Sequence, residues 1–228
     1  MDISVVLVSG GMDSAVTAAI AALSSRPAFL HVNYGQRTEK RELLAFKRIA
    51  DYYKAEKRLA VDMGCLKEMG GSALTDERMK VPQGDLARED IPATYVPFRN
   101  AHLLSIAVSW AEVIGASEVY IGAVEEDSSG YPDCREVFFK AFEKTVRLGT
   151  KAGGRIKIKR PLIKMRKKDI VQKGAQLGAP LHLTWSCYKA SRLACGECDS
   201  CLLRQRGFRE AGVKDPIRYR RRPQGGNR

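Results

Sequence analysis

The apolar run ISVVLVS at residues 3–9 stops at Gly10-Gly11 and continues straight into the Ala-rich run MDSAVTAAIAALSS at 12–25. A β-prone segment, a glycine turn and a helical segment in that order are half of a crossover unit. The alternation then repeats. PAFLHVNY (27–34) reads as a second strand and KRLAVDM (57–63) as a third. Between them EKRELLAFKRIADYY (39–53) carries Leu43, Leu44, Phe46, Ile49 and Ala50 on one helical face. Strands alternating with helices require a parallel sheet covered by its own crossovers, so the fold class is α/β.

Further along, AHLLSIAVSWAEVIGA (101–116) reads as a strongly apolar, buried helix, and EVYIGAV (118–124) as a strand. REVFFKAFEKTVRLG (135–149) reads as an amphipathic helix, RIKIKRPL (155–162) as the last strand, and RKKDIVQKGAQLG (166–178) as a helix stopped by Gly178 and Pro180. Residues 64–100 break the rhythm with several glycines and prolines. A loop of that length is expected to be either functional or disordered.

At 228 residues the chain is long enough for a full hydrophobic core without staples. Its formal net charge is +13, and Arg218, Arg220, Arg221, Arg222 and Arg228 crowd its end. The body without that tail still carries about +8, which suits phosphate or carboxylate substrates, or nucleic acid, as well as plain solubility. The tail, 217–228, is expected to be disordered for want of apolar anchors. The start lacks a basic n-region and no stretch approaches the ~20 apolar residues of a membrane span, so a cytoplasmic protein is expected.

The glycine turn reads as an anion site. Glycine lets a ligand approach the backbone, and the N–H groups opening the next helix point at it. Ser9 and Ser14 add hydroxyls. No lysine follows as in the triphosphate loop, and no G-x-G-x-x-G is present. The stretch Ser-Gly-Gly-Met-Asp-Ser resembles instead the PP-loop of the ATP pyrophosphatase superfamily, at Ser9, Gly10, Gly11, Asp13 and Ser14. The resemblance implies a Rossmann-like, adenine nucleotide alpha hydrolase-like domain in which Val8, Met12 and these residues hold ATP. Asp13, an anion, would serve Mg²⁺ rather than phosphate, since hard cations take oxygen ligands. His31 and Asn33, at the carboxyl end of the second strand, would border the adenosine. A histidine standing alone there is more often a packed core residue.

Cys187, Cys195, Cys198 and Cys201 follow the spacing C-x₇-C-x₂-C-x₂-C. Four thiolates close a tetrahedron and leave no place for water or substrate, which points to structural zinc. An iron–sulfur cluster is the rival occupant. Cys65 and Cys134 stand apart, and Cys134 lies in a polar loop where it could approach a substrate.

Taken together, LVSGGMDSAV, HVNYGQR, YVPFRNAHLLSIA, VYIGAVEEDSSGYPDCREVF, RLGTK, PLIKMRKKDIV and LTWSCYKASRLACGECDSCLLRQRGFREAGV resemble the 7-cyano-7-deazaguanine synthase family over residues 3–216. The SGYPDCR loop joined to the cysteine block is far more specific than the PP-loop alone. The resemblance implies a PP-loop ATP-binding catalytic domain (1–180), a small zinc-binding helical region (181–216) and the basic tail. It implies ATP-dependent conversion of 7-carboxy-7-deazaguanine and ammonia to the nitrile, with Mg²⁺ accompanying ATP, a homodimer, and no need of nucleic acid. Lys167 stands where the family carries a lysine and is the expected phosphate partner; with Asp13, Arg99 and Arg135 it makes up the catalytic set. Arg99, Asn100, Asp127, Tyr131, Asp133 and Arg135 are the expected substrate contacts. Two departures touch the substrate side: Phe98 stands where the family usually has Gly, and Glu125-Glu126 where Asn is common. Rival functions are a PP-loop tRNA-modifying sulfurtransferase and a related ligase acting on a larger acceptor.

Overall fold

The structure, a computed structural model, describes residues 2–125 and 130–220. Its frame is a five-stranded parallel sheet in the order β3-β2-β1-β4-β5. The strands are β1 (Ile3–Leu7), β2 (Arg26–Asn33), β3 (Arg58–Asp62), β4 (Glu118–Tyr120) and β5 (Lys157–Lys159). The chain winds outward through β2 and β3, crosses back, and lays β4 on the other side of β1. The order therefore reverses between β1 and β4. The crevice beyond their carboxyl ends is where ligands bind in open parallel sheets.

Side-chain alternation along β1 explains the two layers. Val5 and Leu7 face one way, with α4 (Arg99–Ile114) and α5 (Glu136–Gly149) packed over them through Leu104, Ala107, Val108, Phe139 and Val146. Val6 and Val8 face the other way, against α1 (Met12–Ala21) and α2 (Glu39–Tyr52) through Ala15, Ala18, Phe46 and Ile49. A third cluster lays α6 (Lys167–Gln176) and α7 (Asp199–Glu210) against α1, through Met12, Val16, Ile170, Val171 and Phe208. Among the described residues the remaining α-helix is the short α3 (Cys65–Met69).

α4 is buried on one face only: it covers one side of the sheet, and Val113 on its outer face is 82% exposed. β4 and β5 are shorter than expected, because after Tyr120 the chain leaves the sheet to border the crevice. Residues 64–100 are ordered by pinning to the cysteine region. Gly84 N–H donates to the Glu197 carbonyl (2.7 Å), Asp85 N–H donates to the Asp199 carboxylate (2.9 Å), and Arg88 pairs with Asp199. The tail is docked through Arg220. Tyr219 bridges to Ala194, and its hydroxyl donates to Asp215 (2.6 Å), so an aromatic anchor outweighs the charge density there. Residues 221–228 lie outside the described residues. Among the described residues no helix is long and apolar enough to cross a membrane.

Two glycines set how close α6 can approach its neighbours. A Cβ on Gly174 would stand 2.7 Å from the Val16 side chain, and one on Gly207 would stand 2.8 Å from Lys167 Cβ and 3.1 Å from its backbone. Gly207→Ala should therefore push α7 off α6 at Lys167. Overpacking of this kind costs about 1–3 kcal/mol. Thermal unfolding should show a fall in midpoint of several degrees, and an unchanged midpoint would mean that the helices separate freely.

Candidate functional site

A cavity of about 270 Å³ occupies the crevice between β1 and β4. Its wall gathers segments far apart in sequence: Val8, Ser9, Gly11, Met12, Asp13 and Ser14; Arg99 and Asn100; Ile121 to Val124; Tyr131 and Cys134; Lys167; and Trp185, Ser186, Tyr188, Ser200 and Arg204. First-turn residues of four helices, α1, α4, α6 and α7, therefore face one space. Dipole ends make such termini favourable to anions, although at α4 the Asn100 N–H is already taken by Asp133. They converge on the same space as Lys167 and Arg99, with Asp13 and Glu42 also on its wall.

The turn from Ser9 to Met12 is built so that its backbone can face a ligand. Gly10 has φ +91°, and a Cβ there would lie 2.7 Å from the Glu42 carbonyl oxygen, so only glycine fits against α2. Gly10 itself turns away from the cavity, and its carbonyl accepts from Trp185 N–H at 2.8 Å. Gly11 is extended, and the nearest atoms to its missing Cβ are Ser9 Oγ at 3.4 Å and the Trp185 carbonyl at 3.7 Å. Ser14 Oγ donates to the Gly11 carbonyl (2.9 Å) and braces the turn.

Lys167 Nζ donates to Asp13 Oδ2 at 2.6 Å, with the lysine side chain 9% exposed. Asp13 Oδ1 is buried without a hydrogen-bond partner. Arg99 donates to the Tyr34 hydroxyl (3.1 Å) and lies over the rings of Tyr34 and Tyr131, while its buried Nε has no partner. Burial raises the Tyr34 pKa to about 12, so its hydroxyl is neutral beside the guanidinium. Glu42 borders the cavity behind the glycine turn and accepts from Thr38 Oγ1 (2.6 Å) and Gln36 Nε2 (3.1 Å). Burial pushes its carboxyl above the ordinary range against those two bonds.

Other expected residues do not reach the cavity. The His31 ring is buried on Phe46, with Nδ1 at 2.8 Å from the Val8 carbonyl and Nε2 at 2.9 Å from Asn33 Oδ1. That pair braces the strand leading into the turn from behind. Asp133 is turned into the protein, where its Oδ2 accepts from Asn100 N–H (2.8 Å) at the start of α4. Arg135 is exposed at the start of α5. Asp127 lies outside the described residues. No motif marks Tyr34, Glu42, Trp185, Ser186, Tyr188, Ser200 and Arg204 as lining residues, although Tyr34 follows β2 and Ser186 and Tyr188 flank the first metal-type cysteine.

Phe98 adopts φ +56°, the left-handed region, which accounts physically for a glycine at this place in the resembling family. A phenylalanine there costs about 1–2 kcal/mol. Edge-to-face contacts with His102 and Phe138, both at 6.1 Å, offset part of that. The ring is 56% exposed and lies away from the cavity wall, so the departure leaves the site's lining unchanged.

The four clustered cysteines are buried, with their sulfurs all within 4.8 Å of one another. Cys195 Sγ and Cys201 Sγ are 3.8 Å apart. A tetrahedron with Zn–S of about 2.3 Å has edges of about 3.8 Å, so the donor set fits zinc. Backbone N–H groups of Lys189 and Cys195 donate to Cys187 Sγ, and that of Glu197 to Cys195 Sγ, as thiolates require. Cys134 is separate, lining the cavity beside Asn100 Nδ2 at 3.3 Å. Burial and the neighbouring Asp133 raise its pKa to about 11.

The family described as queuosine biosynthesis protein QueC matches residues 3–212. A relative from Chloroherpeton thalassium, named 7-cyano-7-deazaguanine synthase, is 57% identical over 221 residues, covering 96% of this chain and 98% of its own. One of the same name from Chlorobium phaeobacteroides is 58% identical with the same coverage.

Zinc-loaded protein should be colourless and carry about one zinc per chain, as four thiolates to one ion dictate. A thiol reagent near pH 8 should label the exposed Cys65 first and spare buried, protonated Cys134. The clustered four should react only after chelation. A brown, iron-containing protein would overturn the zinc assignment.

Proposed function

Because the chain belongs to the queuosine biosynthesis protein QueC family, we propose that it is an enzyme that uses ATP to convert 7-carboxy-7-deazaguanine and ammonia to 7-cyano-7-deazaguanine in the cytoplasm. The observation that supports this most directly is one cavity bordered by the SGGMDS turn, Lys167 and Arg99. The first handles a pyrophosphate and the last a carboxylate.

A carboxylate is a poor electrophile, and the loss of its two oxygens needs two good leaving groups. In the first activation a carboxylate oxygen attacks the α-phosphorus of ATP, forming an acyl-adenylate and releasing pyrophosphate. Ammonia then attacks the acyl carbon, AMP leaves, and the primary amide forms. In the second activation the amide oxygen attacks the α-phosphorus of a second ATP and pyrophosphate leaves; loss of AMP and of both N–H protons then gives the nitrile. Both rounds demand the same arrangement: an oxygen held in line with phosphorus, and stabilised phosphate charge.

Backbone N–H groups of the turn and Ser9 would hold the pyrophosphate. Lys167 would exchange its Asp13 partner for phosphate oxygens, and the unpartnered Asp13 Oδ1 suits Mg²⁺, whose charge would balance that of the phosphates. The free Nε of Arg99 gives it a donor to spare for the substrate carboxylate while Tyr34 fixes its other end. Tyr131 and Tyr188 offer ring faces to the flat base. The sulfurtransferase reading finds no support here: Cys134 is the only cysteine lining the cavity among the described residues, and its raised pKa keeps it a thiol rather than a nucleophilic thiolate.

Incubation with ATP, Mg²⁺, ammonium and 7-carboxy-7-deazaguanine should yield the nitrile, AMP and pyrophosphate by mass spectrometry. ADP and phosphate would overturn the site of cleavage, and absence of nitrile from folded, zinc-loaded protein would overturn the activity. Arg99→Ala should lower turnover by about a hundredfold or more while ATP binding changes little, the scale expected for a lost charge-paired clamp. Lys167→Met should lower kcat by about 10²–10³, as for a lost donor to developing phosphate charge.

A further inference from the structure

We propose that Ser186 is a phosphate ligand of the nucleotide site, its hydroxyl aimed into the cavity by the buried Arg204. The inference rests on the nucleotide reading above and adds a contact supplied by the cysteine region. Arg204 is 1% exposed and every arm of its guanidinium is engaged. Nε and Nη2 donate to the Asp215 carboxylate at 2.9 and 3.0 Å, and Nη2 also approaches the Leu181 carbonyl at 3.4 Å. Nη1 forks onto two hydroxyl oxygens, Thr184 Oγ1 at 2.7 Å and Ser186 Oγ at 3.3 Å.

Both hydroxyls accept from the cation, so each has a proton left to donate. Thr184 gives its proton to the Leu181 carbonyl at 2.7 Å. Ser186 has no such acceptor among the described residues, and it borders the cavity. With a guanidinium on one side, its O–H points to the other, toward the open space. Position then selects the ligand. Trp185, one residue earlier, donates its N–H to Gly10, and its carbonyl lies 3.7 Å from where a Cβ on Gly11 would be. Ser186 therefore follows directly on the segment lying along the glycine turn. Gly207, one turn beyond Arg204 on α7, packs against Lys167. A hydroxyl whose proton is free, on the same cavity wall as a glycine anion turn and a lysine, is suited to a phosphate oxygen, and unsuited to the apolar edge of a base.

The test is calorimetric binding of an ATP analogue with a methylene bridge between its α and β phosphates, in Mg²⁺, to zinc-loaded protein. Ser186→Ala should bind it about ten- to a hundredfold more weakly, the scale of one hydrogen bond to a charged group. Zinc content, melting temperature and KM for the carboxylate substrate should match wild type, and Ser186→Thr should restore binding. Wild-type affinity in Ser186→Ala overturns the proposal. So does a variant that loses affinity for the carboxylate substrate alone. Failure of the wild-type protein itself to bind the analogue overturns the nucleotide reading beneath it.

Discussion

The hydrogen bond from Trp185 N–H to the Gly10 carbonyl, 2.8 Å long, joins the first turn of the chain to its cysteine region. Much of the site depends on it. It fixes the outward side of the glycine turn, so that Gly11 rather than Gly10 faces the cavity. It also brings Ser186 and Tyr188 to the rim, and Cys187 between them ties that segment to the thiolate cluster. A metal held by those four sulfurs would have a mechanical role: it would set the position of a wall.

The charges show a second economy of construction. Lys167 and Asp13 neutralise each other across 154 positions of sequence. Arg204 and Asp215 do so in the interior, with a tyrosine and a threonine completing the set. Arg99 differs. It rests on two tyrosine faces and one hydroxyl, with no carboxylate bonded to it among the described residues. A cation with no carboxylate bonded to it at a cavity wall is costly to the free protein, and the Glu42 carboxyl on the same wall offsets only part of that. That cost is what the substrate carboxylate would remove.

Most of the frame was legible in the sequence because period-two and helical patterns are set locally. Val5 to Val8 already announce a strand buried on both faces, and SGGMDS announces the turn after it. The cysteines were legible because their spacing is itself the ligand geometry. Two kinds of residue resisted. His31, Asp133 and Arg135 are polar residues in motif-like places, and only the fold shows that two turn inward and the third outward. Ser186 and Arg204 were hidden for the opposite reason: their role depends on a bond between elements eighteen residues apart, which no periodicity encodes. Phe98 lies between these cases, since its left-handed backbone makes sense of an expected glycine only once φ is known.

The docking of Tyr219 beside Ala194 bears on how the molecule comes together in time. Asp215, the counter-charge of the buried Arg204, belongs to this same closing segment. Without Asp215 the guanidinium on α7 would have no carboxylate to meet it. The turn at Gly10 is made among the first residues, yet it lacks its opposing wall until nearly the whole polypeptide is present. The cavity is therefore walled on all sides only when its first strand and the segment around Asp215 stand together.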